Sequence, residues 1–209
     1  PDVGATYFLP RCPGRMGLYM GLVGARIGVA DALYLGLATH HVQAARMAEF
    51  EAALAAADLS GGAERAIDGV LGEFSADPGE APLAARQDEV DRCFAADSVE
   101  AILANLAAEG TVWAEQTGAT LLGKSPTSLK VTFRQLTELN DLDFEAAMKM
   151  EYRMAIRCNF SHEFYEGIRA QIIDKDRQPK WQPARLEDVG EALVESYFQA
   201  PASGDMTFE

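Results

Sequence analysis

A mainly α-helical fold is what this sequence predicts, on three observations. Apolar residues recur at i, i+3 or i+4, and i+7 through most of the chain after Gln43. Short polar residues that cap helices stand ahead of several of these stripes. Only Thr39-His40-His41-Val42 reads as a strand, and it is short. A freestanding α/β domain needs several strands. The chain is therefore either an all-α domain or a helical portion whose sheet is supplied by an upstream segment.

The elements follow in order. Seven of the 18 glycines fall within the first 36 residues, and none lies from Lys124 through Glu166. The early part thus reads as short helices joined by tight turns, and the later part as long helices. Gly17, Gly21 and Gly24 recur at i, i+4 and i+7, a helical face that another backbone can approach. From Gln43 to Asp58 the chain is rich in alanine, with Met47, Phe50 and Leu54 on one stripe, a helix. Gly61-Gly62 and Asp77-Pro78-Gly79 make residues 60–82 a loop region around a short helix at 64–74. Helices over 84–94 and 98–108 come next, the second opened by Asp97 with Glu100 three residues later. A short helix over 113–122 follows. Ser125-Pro126 sets a cap and then proline at the first helical position, ahead of Leu129, Phe133 and Leu136. Phe144, Met148, Tyr152 and Ala155 form the next stripe, and Phe164, Ile168 and Ile172 another. The last helix begins near Glu187-Asp188 and carries Val189, Leu193 and Tyr197. No internal repeat recurs at a fixed period.

With 18 Lys+Arg against 32 Asp+Glu over 209 residues, the formal charge is −14. A carboxylate surplus of this size argues against a nucleic-acid backbone as the main partner. No apolar run approaches the roughly 20 residues that span a bilayer, so no membrane partner is expected. Cys12, Cys93 and Cys158 lie far apart and suit free thiols in a reducing compartment. The chain opens Pro1-Asp2-Val3-Gly4 without an initiator methionine, so an internal start is expected, with the function expected to belong to a longer parent.

Few residues carry chemistry on their own. His40 and His41 point to opposite faces of a strand and cannot easily share one metal ion; with no cysteine at ligand spacing, no metal is expected. The glycines from Gly14 to Gly24 follow no strand and spell no phosphate loop, which leaves close helix packing. Cys12 has no evident base beside it in sequence. Basic residues cluster late, 11 of the 18 between Lys124 and Arg185. Among them, Lys175, Arg177 and Lys180 share a polar turn with Trp181. A lysine beside an indole can hold an anionic, adenine-bearing ligand; equally, Trp181 can plug the loop against the preceding helix. Asp2, just before Val3-Gly4, reads from its neighbours as a turn or cap residue.

The segment Pro1-Asp2-Val3-Gly4-Ala5-Thr6-Tyr7-Phe8-Leu9-Pro10-Arg11 closely resembles the entry to the active-site helix in 3-hydroxyisobutyryl-CoA hydrolases of the enoyl-CoA hydratase/isomerase (crotonase) superfamily. Residues 22–40 resemble a stretch shared across the superfamily. Ser125-Pro126-Thr127-Ser128-Leu129-Lys130, Glu151-Tyr152-Arg153, the block 164–170, Ile173-Asp174-Lys175-Asp176 and Pro179-Lys180-Trp181-Gln182-Pro183 are similar to the hydrolase branch. Enoyl-CoA hydratases usually carry glycine where this chain has Asp2. Dienoyl-CoA isomerases share the aspartate but lack the Asp-Lys-Asp…Pro-Lys-Trp ending.

The resemblance implies the C-terminal part of an α/β crotonase fold whose sheet lies mostly upstream. Residues 1–42 would close the core with the active-site helix and a last short strand, 43–124 a helical region with loops, and 125–209 a C-terminal helical region. It further implies cleavage of a 3-hydroxyacyl-CoA thioester, with valine catabolism as the setting. Asp2 would be the catalytic carboxylate; Lys175, Lys180 and Trp181 would be substrate-binding. Coenzyme A would enter only as part of the substrate, with no separate cofactor. Two backbone N–H donors for the oxyanion and a glutamate eight residues before Asp2 would lie upstream, so these 209 residues alone are expected to be inactive. Helices stripped of a sheet would expose Phe8, Leu18 and Leu22, and so bind the upstream half or a neighbouring copy in a homo-oligomer. Alternatives are an enoyl-CoA hydratase/isomerase or a helical interaction module without chemistry. The expected compartment is the bacterial cytoplasm, favoured over the mitochondrial matrix.

Overall fold

The computed structural model describes residues 1–139 and 141–208. Its helices are α1 (Ala5–Phe8), α2 (Met16–Val23), α3 (Val29–Tyr34), α4 (Met47–Ala56), α5 (Ala63–Phe74), α6 (Gln87–Phe94), α7 (Val99–Glu109), α8 (Val112–Leu122), α9 (Pro126–Thr137), α10 (Phe144–Asn159), α11 (His162–Ile168) and α12 (Glu191–Glu195). The contacts group into two compact units, Pro1–Ala25 with Gln87–Glu209, and Arg26–Arg86.

Five helices of the larger unit start where a polar side chain takes up a free backbone N–H. Ser98, Thr111, Ser125, Asp143 and Ser161 each accept from the N–H three residues on, opening α7 to α11 in turn. Each such cap is worth about 1 kcal/mol, because the first turn of a helix otherwise leaves its donors unpaired. The cap of α7 is Ser98, not Asp97, so the expected capping box does not form. Pro126 stands at the first position of α9, as its fixed φ favours.

In the larger unit α2 packs against α6, α8 and α9, and α7 against α6 and α8. Met16, Val90, Phe94, Ile102, Leu106 and Leu121 are buried there. Tyr19 meets the Phe94 ring edge-on at 5.5 Å and lies 5.7 Å from Trp113. The close approach expected on α2 is present at two of its three glycines. A Cβ at Gly17 would collide with the backbone carbonyl of Leu9, and one at Gly21 with the side chain of Leu136. Gly24 instead ends the helix at φ 69°, where a side chain is disfavoured. Leu18 and Leu22 are buried rather than exposed, because the chain's own helices cover α2; of the three residues expected at the surface only Phe8 is there, 38% accessible. A second cluster joins Val131, Met154, Val189, Val194, Tyr197 and Phe198.

Three stripes read from the sequence sit differently. On α10 the buried face is Ala147, Glu151 and Met154, not the stripe of Phe144, which is exposed. Two adjacent stripes on that helix have apolar spacing, and the one facing α1 carries the hydrogen-bonding glutamate. On α11 Glu163 and Glu166 are buried, while Phe164 is exposed and Ile172 lies in the π-helical turn Arg169–Ile173, also exposed. The expected last helix breaks into a 3-10 turn, Leu186–Asp188, and α12, because Val189 is extended and Gly190 starts anew.

The smaller unit contains α3, α4 and α5. The Phe50 ring meets Phe74 at 5.6 Å, and the Arg46 guanidinium lies over Phe74. Buried Asp31 accepts from Leu83 N at 2.8 Å. The strand expected over 39–42 is reduced to one antiparallel bridge, Val42 to Ser75, plus a hydrogen bond from Ala76 N to His41 O. A strand needs a partner ladder, and among the described residues that bridge is all that answers it.

Candidate functional site

The first six residues form a turn that the rest of the larger unit holds from two sides. Val3 has φ 55° and Gly4 φ 91°. Glycine adopts that region freely, whereas a β-branched residue does so at a cost of about 1–2 kcal/mol. Two buried side chains secure this backbone. Glu151 on α10 accepts from Gly4 N and Thr6 N, both at 2.7 Å, one on each carboxylate oxygen. Gln135 on α9 donates its amide to Pro1 O at 2.8 Å and to Thr6 Oγ1 at 2.6 Å. Ala5 N closes the turn onto Asp2 O at 3.1 Å. Hydrogen bonds to an ionised carboxylate contribute about 1.5–3 kcal/mol each, enough to offset the strain at Val3.

This turn delivers Asp2 to the wall of a cavity of about 460 Å³, within the range of small-molecule sites. Ser128, Cys158, Asn159, Phe164 and Tyr197 share that wall. Burial pushes the Cys158 thiol and the Tyr197 phenol up, so both stay protonated at neutral pH and neither is an anionic nucleophile. Glu151 also lines the cavity, but both its oxygens accept backbone N–H groups. Asp2 is the solvent-facing carboxylate on this wall. It can orient a hydroxyl or water by accepting, and hold or return a proton. Burial likewise raises Cys12, whose Sγ lies against Phe8 O.

Lys175, Lys180 and Trp181 are not among the residues lining this cavity. They belong to a loop after α11 that two buried carboxylates fasten. Glu163 accepts from Gln182 N at 2.8 Å and from the Ser125 hydroxyl. Glu166 accepts from Lys180 N at 2.6 Å and forms a two-pronged pair with Arg169, which also reaches Asp174 and Asp176, each at 2.7 Å. The Arg169 guanidinium and the Lys180 N–H hold the Glu166 carboxyl down to about 2. The Trp181 indole lies against Gly167 and donates to Gly123 O at 3.3 Å. That is the plugging arrangement of the two read from the sequence. The Lys175 and Lys180 side chains are exposed. His40 is exposed and His41 half-buried. Among the described residues no group of three His, Cys, Asp or Glu side chains could hold a metal ion.

Glu151 and Gln135 are the residues that sequence reading missed. Glu151 was visible only as part of the Glu151-Tyr152-Arg153 block. Its signal is an acid on the buried stripe of a helix, between Ala147 and Met154.

The helical array has the fold of crotonase-fold proteins. The chain is a member of the enoyl-CoA hydratase/isomerase family, whose profile matches residues 1–198. It is 38% identical to the mitochondrial 3-hydroxyisobutyryl-CoA hydrolase of Xenopus tropicalis over 99% of its length and 54% of that protein's. To the human protein of the same name it is 37% identical, over 100% of this chain and 55% of that one. Among solved structures, a carnitinyl-CoA dehydratase from Mycobacterium thermoresistibile matches with a TM-score of 0.88 at 36% identity, covering all of this chain and 58% of that one. An enoyl-CoA hydratase from Rhodobacter sphaeroides 2.4.1 matches at 0.85 and 36%, with the same coverage. The chain thus spans about half the length of the curated relatives it matches.

Proposed function

We propose that these residues form the C-terminal portion of an acyl-CoA hydrolase that cleaves 3-hydroxyisobutyryl-CoA or a similar 3-hydroxyacyl thioester, in valine catabolism. The carrying observation is Asp2, held at a cavity by Glu151 and Gln135, in a chain 38% identical to hydrolases of that name. In hydrolysis, a water oxygen adds to the thioester carbonyl, the C–S bond breaks, and the proton lost by water reaches the departing sulfur. Asp2 would orient the 3-hydroxyl or the water and relay that proton. The upstream half, by resemblance, would add the oxyanion donors and a second carboxylate. Two close carboxylates then divide acid and base roles, since one charge disfavours the other.

The reaction needs no cofactor beyond the coenzyme A of the substrate. Lys175 and Lys180, exposed on their loop, are proposed to contact that coenzyme A on charge alone, with Trp181 bracing the loop beside them. The relatives' mitochondrial designation supports a matrix location and gives none to the expected preference for cytoplasm. The exposed Phe160, Tyr165, Ile172 and Ile173 suit contact with the upstream half or a second copy.

A second reading, hydration of an enoyl-CoA, is favoured by the names of the two solved structures. The test is the full-length protein assayed for free-thiol release from 3-hydroxyisobutyryl-CoA and for loss of enoyl absorbance from crotonyl-CoA. Thiol release that falls at least about 100-fold in Asp2→Asn is the expected result. Hydration without thiol release would refute the hydrolase reading.

A further inference from the structure

We infer that Glu151 is a positioning residue for Asp2: its buried carboxylate sets the strained Val3–Gly4 turn that aims the Asp2 side chain at the cavity. This rests on the reading of Asp2 above and adds a residue acting through it. Glu151 lies 4% accessible on α10, and its two oxygens take Gly4 N and Thr6 N at 2.7 Å. Those donors flank Ala5 and sit directly after Val3, so the carboxylate spans the point where the backbone runs at positive φ. Only an acceptor with two oxygens on one rigid plane meets both N–H groups. An amide presents its NH2 to one of them, donor against donor. Gln135 fixes the other side of the turn through Pro1 O. Asp2 lies between these two attachments, with its own carbonyl taken by Ala5 N. The Asp2 side chain is exposed at the cavity wall, yet its Cα has little room to shift.

Loss of the Glu151 clamp should therefore misplace Asp2 while leaving the cavity walls in place. A displacement of about 1 Å at a reacting group costs on the order of 100-fold in rate. In the full-length protein, Glu151→Gln is expected to lower kcat for thiol release about 100-fold with KM changed less than about threefold. In the Asp2→Asn background the same substitution should add less than about threefold, because two residues acting through one group are not additive. Glu151→Asp, which keeps the charge but shortens the reach, should recover part of the loss and guards against a glutamine variant that fails to fold. A crystal structure of the variant should show Val3 leaving the left-handed region and the Asp2 carboxylate moved. Wild-type kcat in Glu151→Gln, or a full further 100-fold loss on top of Asp2→Asn, overturns the inference. If the wild-type protein releases no thiol, the hydrolase reading fails. The crystal structure then decides the positioning role alone, and an unmoved turn overturns it.

Discussion

Val3 is the residue to perturb for a measure of the energy stored beside Asp2. Its φ of 55° lies in the left-handed region, and the residue is 84% accessible, so replacing it removes little apolar burial. Relief of a non-glycine residue in that region is worth about 1–3 kcal/mol. Glycine has more unfolded-state freedom to lose, which costs about 0.4–1 kcal/mol. Val3→Gly should thus stabilise the protein by about 1 kcal/mol. Val3→Asn, whose short polar side chain tolerates this backbone, should fall between the two. The assay is urea unfolding of full-length protein, read as a midpoint shift at constant slope. Turnover measured in parallel should be little changed, because the Glu151 and Gln135 attachments that hold Asp2 do not involve the Val3 side chain. A loss of about 0.5 kcal/mol or more in Val3→Gly, comparable to the glycine entropy cost alone, would show that the valine side chain itself supports the turn and would refute the strain reading.

Other perturbations test the packing and the loop. Gly17→Ala should destabilise by about 3 kcal/mol, since the atom it meets is the Leu9 backbone carbonyl and cannot rotate away; a soluble variant with unchanged urea midpoint would contradict this. For the loop, the folded-state carboxyl of Glu166 is lowered to about 2, against about 4.3 for a free glutamate. Its stabilising contribution is complete above about pH 4.3 and is lost as pH falls through about 2. Trp181 fluorescence in a Trp113→Phe background should report release of the loop in that window, and Arg169→Met should move the midpoint up toward about 4. A transition that does not respond to Arg169→Met would place the acid sensitivity elsewhere.

What the sequence disclosed was chiefly local. Ser125-Pro126 marks the start of α9 because cap and proline act within one turn. Residues 64–74 fall within α5, whose ends are set by glycine on one side and an extended Ser75 on the other. What it hid depends on tertiary context. The apolar spacing of Phe144, Met148 and Tyr152 is a valid helix signal, but the face that packs is the one that meets α1, where Glu151 takes two backbone N–H groups. Leu18 and Leu22 read as uncovered when a sheet is assumed to be their cover, whereas α2 is enclosed by α6, α8 and α9. Asp2 was legible only through resemblance. Its neighbours in sequence say turn, and the groups that make it more than a turn stand more than 130 residues away.

The acidic composition also takes on a different meaning in the structure. A net charge of −14 invites the view that carboxylates serve the solvated surface. Yet Glu151, Glu163 and Glu166 are each buried, and each accepts at least one backbone N–H from a segment distant in sequence. A buried carboxylate is costly unless its oxygens are filled; backbone donors fill those of Glu151, backbone and the Ser125 hydroxyl those of Glu163, and Arg169 joins the Lys180 N–H at Glu166. Irregular segments have such donors to spare, because no helix or sheet uses them. Glu151 fastens the turn before α1, and Glu163 and Glu166 fasten the loop that returns through Lys180 to Gln182. A glutamine at Glu151 or Glu166 would turn one acceptor into a donor facing a donor, whereas at Glu163 the Ser125 hydroxyl can turn and accept. In this chain acids on buried helix faces thus hold the segments that lack regular structure of their own, and Asp2, the proposed catalytic carboxylate, is carried by one of those segments.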